Sequence, residues 1–465
     1  MTSVPLTVAS AAKALRAGEF SSTELTTQLL AKVKTLNPEL GAFITVTEES
    51  ALAEAAAADA LFAKGIDKGP LQGIPYGTKD IIATANAPTT ANSNILDRKW
   101  GEGYDATVVT KMKAQGAVGL GKLVLSEFAI GLPDPDTGFP VPKNPWNVDH
   151  SAAGSSSGTG VAVASGMILC GFGTDTGGSI RGPAAYNGHS GLKQTFGRVS
   201  KTGCVPLGYS LDNIGPMARS VEDCAFMLQA IAGFDPTDPC SVDLPVPDYT
   251  AAMTGSVAGL RIGVPVSYFF DAPGLDPEVK AAVLAAIDTL KAAGAIVKEV
   301  PIPHAEEAKD ANVIIMFSEA CAYHRTDLQE RYNVYGKFTA PMLVRGVLYS
   351  GADYMQASRF RTYFKREVAK AMADIDILVT PTAPFPAPRR DEMTPERRIL
   401  DPAFMGQWNL TGLPALAVPC GFSSANMPLS MQIIGKPFDE PAVLRAGDAY
   451  QRLTDWHLKV PPIAG

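Results

Sequence analysis

The stretch Gly154–Ser179, reading GSSSGTGVAVASGMILCGFGTDTGGS, sets serine and glycine at both ends of a segment whose one charged side chain is Asp175. A serine hydroxyl becomes a nucleophile once a base takes its proton. Gly177 and Gly178 immediately precede Ser179, where missing Cβ atoms let backbone N–H groups approach a ligand closely enough to face an oxyanion. Upstream, Leu71–Ile82 reads LQGIPYGTKDII and carries Lys79 and Asp80 in an otherwise uncharged run. The residues alone leave two readings of that lysine. One is a surface amine paired with Asp80; the other is a buried amine whose pKa falls from about 10.4 until it can act as a base near neutral pH.

Together these segments resemble the amidase signature family of serine hydrolases. The resemblance is carried by Gly154-Ser155-Ser156-Ser157-Gly158 and by Gly173-Thr174-Asp175-Thr176-Gly177-Gly178-Ser179-Ile180-Arg181. It continues through Gly191–Thr195, Gly197–Ser200, Gly215–Asp223, Thr380-Pro381-Thr382, Asn409–Ala415 and Gln432–Gly435, and so spans nearly the whole chain. It implies a Ser-Ser-Lys catalytic unit with Ser179 as nucleophile, Ser155 as the bridging serine after a cis Gly154–Ser155 bond, and Lys79 as base. It also implies that the N–H groups of Thr176, Gly177, Gly178 and Ser179 form the oxyanion hole, each essential donor being worth roughly 3 to 4 kcal/mol. Asp175 and Arg181 would brace that turn as a buried pair, and Ser156 would hold backbone or base rather than attack. With no histidine in either motif, the resemblance implies that the proton of Ser179 would pass through Ser155 to neutral Lys79. The same relay reversed protonates the leaving amine, and water then releases the acid.

The activity so implied is amide hydrolysis through an acyl-enzyme, on linear carbon–nitrogen bonds other than peptide bonds. Small or aryl amides are the expected substrates, and carbamates (a urethanase activity) and esters share the same carbonyl chemistry. One alternative is the glutaminase-type subunit of a tRNA-dependent amidotransferase, although GSSSGTG differs from the GSSGGS pattern common there. A non-catalytic scaffold is the other, opposed by the presence of Lys79, Ser155 and Ser179. Pocket walls are expected from the proline-rich loop around residues 130–145, where Asp136 replaces an asparagine common in relatives, and from the segments Ile314–Tyr323 and Phe338–Phe364. Phe139, Ile315, Met316, Phe317 and Trp408 are the candidate apolar lining.

Elements able to hold such a site are visible in the spacing. Ser21-x-x-Glu24 is a capping box ahead of Leu25, Leu29, Val33 and Leu36 at helical period. Ala162–Leu169 is apolar apart from Ser165 and predicts a helix covered on every side; Pro277–Ala293 predicts a helix with Val279, Val283, Ile287 and Leu290 on one face. Leu260–Val264 and Ile375–Val379 read as strands. The expected fold is α/β: a single domain over residues 1–465, with a signature core at about 70–225 and a central mixed β-sheet covered by helices on both faces.

The net charge of −7 and the pI of about 5.4 give no electrostatic reason to expect nucleic acid. Two uncharged stretches, Ser151–Thr174 and Asn409–Gly435, read as buried core rather than membrane spans, being crowded with Gly and Ser or broken by Pro414, Pro419 and Pro428. Six scattered cysteines without a CxxC pair and an N-terminus without a signal pattern fit the cytoplasm. The five histidines form no metal-binding spacing, and neither metal nor cofactor is expected. The expected partner is thus a small-molecule amide or carbamate, with no nucleic acid and no membrane; a homodimer accords with family habit.

Overall fold

The computed structural model describes residues 6–394 and 401–464. In chain order its first elements are α1 (Val8–Ala17), α2 (Ser22–Leu40), β1 (Phe43–Val46), α3 (Glu48–Ala63), β2 (Pro75–Lys79), α4 (Thr107–Ala114) and β3 (Val118–Leu123). The middle comprises α5 (Ser157–Ala164), β4 (Cys170–Asp175), α6 (Arg181–Asn187), β5 (Ser190–Lys193), β6 (Asn213–Ala218), α7 (Val221–Ile231), β7 (Arg261–Val264), α8 (Pro277–Ala292) and β8 (Ile296–Glu299). There follow α9 (Ala305–Glu330), α10 (Thr339–Leu348), α11 (Gly351–Ala371), β9 (Ile377–Pro381), α12 (Gly406–Thr411), β10 (Ala415–Phe422), β11 (Pro428–Gly435) and α13 (Glu440–Leu453).

The local signals behave as their chemistry requires. Ser21 caps α2 by accepting the Glu24 N–H at 3.0 Å while Glu24 accepts the Ser21 N–H at 2.7 Å, and Leu25, Leu29 and Val33 turn inward. Helix α8 ends within a residue of its expected bound and buries Val279, Val283, Ile287 and Leu290. The apolar run after Ser157 divides differently from expectation. Helix α5 starts at Ser157, is buried all round and stops at Ala164, because Gly166 takes a φ of 69° and turns the chain. Met167–Leu169 then lead, buried, into β4.

Among the described residues the strands form one mixed sheet in the order β1-β3-β2-β4-β6-β5-β10-β11-β9-β7-β8. Helices cover both faces. The β10–β11 hairpin accounts for most of the second uncharged stretch and is buried along nearly its whole length. No helix among the described residues is long and apolar enough to cross a membrane.

What matters for chemistry is that β2 and β4 are parallel neighbours, with Tyr76 opposite Cys170 and Thr78 opposite Phe172. Their carboxyl ends emerge at one edge, where open α/β sheets form ligand crevices. Lys79 ends β2, and Thr174 and Asp175 end β4. Helix α9, which reaches this edge through Asn312, packs against α10, α11 and α12. Gly346 permits that close approach, since a Cβ there would sit 2.1 Å from the Phe317 carbonyl oxygen.

Candidate active site

Lys79 is fully buried, and its Nζ donates to Ser155 Oγ at 2.7 Å, Thr174 Oγ1 at 2.7 Å and Ser156 Oγ at 3.0 Å. Burial lowers its pKa to about 7, against smaller opposing pulls from Cys204, Asp175 and Asp212. Asp80 is not its partner. That carboxylate lies 3.2 Å from Lys122 Nζ, which also donates to the Ile82 carbonyl and the Thr89 hydroxyl. Lys193 is equally buried and also lowered to about 7, chiefly by desolvation. Its amine, however, faces the carbonyl oxygens of Gln194 and Leu413, which have no proton to give. Three hydroxyls within reach distinguish Lys79 from Lys193, and the absence of an ion pair on it among the described residues distinguishes it from Lys122, which is held by Asp80.

Ser155 follows a cis Gly154–Ser155 peptide bond. Its neighbour Ser156 ties the two motifs: the Ser156 N–H donates to the Ser179 carbonyl at 3.2 Å, and Ser156 Oγ accepts the Thr174 N–H at 3.2 Å. Lys79, Ser155 and Ser156 are thus in direct contact, and Ser179 lies one backbone bond away. Among the described residues no hydrogen bond joins the Ser155 and Ser179 hydroxyls.

The turn carrying Ser179 is built around one carboxylate. Asp175 accepts the N–H groups of Gly178 at 2.8 Å and Ile180 at 3.1 Å, the Asn409 side-chain amide at 2.8 Å, and the Arg181 guanidinium at 2.9 and 3.1 Å. The same Asn409 amide also donates to the Asp175 main-chain carbonyl at 3.1 Å. Burial pushes the Asp175 carboxyl upward, but the charge and hydrogen bonds of Arg181, with Lys193 and Asn409, outweigh it and hold the group well below the usual carboxylate range. Arg181 spends its remaining donors on the Met405 carbonyl, Gln432 and Asn409.

This anchoring separates the four N–H groups that family likeness implies for the oxyanion. Gly178 has given its N–H to Asp175, and Thr176 is buried, with its hydroxyl on Asp212 and its carbonyl on Asn312; Gly177 and Ser179 are the half-buried members of the turn, and their N–H groups have no protein partner among the described residues. Gly178 must be glycine on two counts. Its φ is 125°, and a Cβ would lie 2.8 Å from Met405 Sδ.

The wall beside the turn consists of Asn312 and Met316 from α9 and Met405 before α12: a Cβ on Gly177 would lie 3.2 Å from Asn312 Oδ1 and 4.0 Å from Met316 Sδ. Of the expected apolar lining, Met316 alone reaches this turn. Ile315, Phe317 and Trp408 are core residues, Trp408 stacking on Phe269 at 5.5 Å, and Phe139 lies under Arg98. Asp136 is exposed, and its charge is met by Lys337 at 2.6 Å. A cavity of about 310 Å³ reaches Thr174 from between Ile81, Ala129, Cys204 and Leu207.

A family model described as Amidase matches residues 24–444. The chain belongs to the amidase family. Within that family it is 43% identical over 484 residues to a glutamyl-tRNA(Gln) amidotransferase subunit from Roseiflexus sp. (strain RS-1), covering 98% of both chains. Among solved structures it matches a chain of a vestigial protein complex bearing on the origins of an s-triazine catabolic enzyme, with a TM-score of 0.89, 33% identity and coverage of 96% and 98%. The native peptide amidase of Stenotrophomonas maltophilia matches with a TM-score of 0.85 and 31% identity over 96% of this chain and 98% of that one. The amidase-family resemblance and its fold are thereby confirmed. The expectation that excluded nucleic acid is overturned: the Roseiflexus relative is named as a glutamyl-tRNA(Gln) amidotransferase subunit, and net charge sums over the whole surface, so an acidic total does not rule out a nucleic-acid partner.

Proposed function

We propose that this chain cleaves carboxamide carbon–nitrogen bonds through an acyl-enzyme on Ser179. The contact that carries the reading is the 2.7 Å bond from Lys79 Nζ to Ser155 Oγ, made by an amine that burial has brought to about 7. Neutral Lys79 takes the Ser155 proton as Ser155 takes that of Ser179, and Ser179 Oγ attacks the carbonyl carbon. The N–H groups of Gly177 and Ser179 receive the oxyanion. The relay then returns a proton to the leaving nitrogen, and a water molecule repeats the sequence to release the acid. Thr174 and Ser156 keep the lysine aimed at Ser155.

For the amide cleaved, the sequence relatives favour the side chain of glutamine, with the released ammonia passed on within a larger enzyme. That reading requires partner subunits and a tRNA substrate for the complete reaction. A second reading has a specific observation behind it: Asn312, Met316 and Met405, the side chains against the turn, are all uncharged, which suits a neutral amide better than the charged ends of free glutamine. Peptide and aryl amides, and carbamates with them, belong to this class.

The purified chain should decide between them by kcat/KM on glutamine and on a neutral anilide at equal concentration. Glutamine turnover with no anilide cleavage supports the amidotransferase-type reading. Anilide and aryl carbamate turnover without glutaminase activity supports the neutral-amide reading, with related amides differing by roughly ten- to a few hundredfold because the two methionines of the wall discriminate weakly by size.

A further inference from the structure

Helix α9 sets Asn312, Met316 and Glu319 at i, i+4 and i+7, along one face. Asn312 Nδ2 donates to the carbonyl of Thr176 at 3.4 Å, and Met316 faces Gly177. Glu319 does not touch the turn. Its Oε2 accepts the N–H of Ser210 at 2.9 Å, and its Oε1 accepts the Tyr354 hydroxyl of α11 at 3.0 Å. Ser210 is gripped from the other side as well. Arg361 of α11 donates to Ser210 Oγ at 3.0 Å and to its carbonyl at 2.9 Å, while Arg361 Nε is fixed on the Leu410 carbonyl of α12 at 2.7 Å.

Two residues beyond Ser210 stands Asp212, which accepts the hydroxyl of Thr176 at 2.6 Å together with the N–H groups of Leu207 (2.9 Å) and Gly208 (3.0 Å). Thr176 opens the turn that presents the N–H groups of Gly177 and Ser179. It is therefore held by α9 twice, at its carbonyl by Asn312 and at its side chain through the 207–212 loop that Glu319 seats.

We propose that Glu319 is a positioning residue for acyl transfer, setting the Asp212–Thr176 clamp and through it the aim of the Gly177 and Ser179 N–H groups. The proposal rests on the acyl-enzyme reading of Ser179. Removing the carboxylate leaves the Ser210 N–H and the Tyr354 hydroxyl without their acceptor and Arg361 without an anion that favours its charge, so Ser210 loses one of its two holds. Nothing that binds the ground state of a substrate is removed, so the loss falls on the transition state.

The test is steady-state kinetics of Glu319→Ala, Glu319→Gln and Tyr354→Phe on an amide that the wild type cleaves. Glu319→Ala should lose about ten- to a hundredfold in kcat at constant KM, the cost of misplacing a donor by a fraction of an ångström. Glu319→Gln keeps an oxygen for Ser210 and should recover most of that loss, and the acid limb set by Lys79 should stay at the same pH in all three. Wild-type kcat in Glu319→Ala, or a loss confined to KM, or no rescue by glutamine, overturns the proposal. If Glu319→Ala does not fold, a drop of about three- to tenfold in kcat for Tyr354→Phe supports it and wild-type kcat there overturns it. Failure of the underlying reading looks different: Ser179→Ala would then retain wild-type turnover.

Discussion

Lys79→Ala should lower turnover by about 10²- to 10⁴-fold, the contribution of a positioned general base, and Lys79→Arg should not restore it. Arginine keeps the charge but cannot lose its proton at working pH, so it cannot receive one from Ser155. The wild type should carry the corresponding pH signature. With Lys79 as the proposed base, the active form would be the neutral amine, which burial makes the major form above about pH 7; below that pH the amine protonates, and kcat/KM should fall by about tenfold per unit. The acid limb should disappear from whatever activity Lys79→Ala retains. A Lys79→Arg enzyme with near-normal kcat, or an unchanged acid limb in Lys79→Ala, contradicts the assignment of the base.

Arg181→Met is expected to cost about 3 to 5 kcal/mol of stability, the usual penalty for leaving one member of a buried ion pair uncompensated. Both side chains of the Asp175–Arg181 pair have no solvent exposure, and Arg181 also reaches Met405, Asn409 and Gln432. The urea midpoint reads this directly. Activity should fall with stability, because Asp175 holds the Gly178 N–H and thereby shapes the turn that carries Ser179. The double variant Asp175→Ala/Arg181→Met should be less destabilised than the sum of the two single changes, since no buried charge is then left alone. A urea midpoint unchanged in Arg181→Met would mean that the pair does not organise the turn.

The candidate active-site segments were legible because glycine and serine at close spacing, and a lysine in an uncharged run, constrain chemistry before any fold is known. Helix α2 was legible from Ser21 and Glu24 because a capping box is decided within four residues, and α8 from the period of its valines and leucines. What stayed hidden depended on helix phase and long-range contact. Ile315, Met316 and Phe317 are consecutive and apolar, yet a helix turns each by about 100°, so Met316 meets Gly177 while its neighbours enter the core. The spacing of Asn312, Met316 and Glu319 held that signal, since two polar residues fall in phase with the methionine. Thr174 as a third hydroxyl on Lys79 depended on the parallel pairing of β2 with β4, which local periodicity does not report. That the Gly178 N–H is taken by Asp175 depended on the direction of that carboxylate. Partners were misjudged from net charge, a quantity summed over a surface rather than placed on it.

The central claim is that Ser179 becomes acylated, and covalent labelling tests it most directly. The intact chain, treated with a fluorophosphonate and digested, should give one modified peptide by mass spectrometry, with the adduct on Ser179 and none on Ser155 or Ser156. Labelling should slow as the pH is taken below about 7, because protonated Lys79 cannot accept the serine proton. An adduct on Ser155 or Ser156 with Ser179 unmodified would contradict the account.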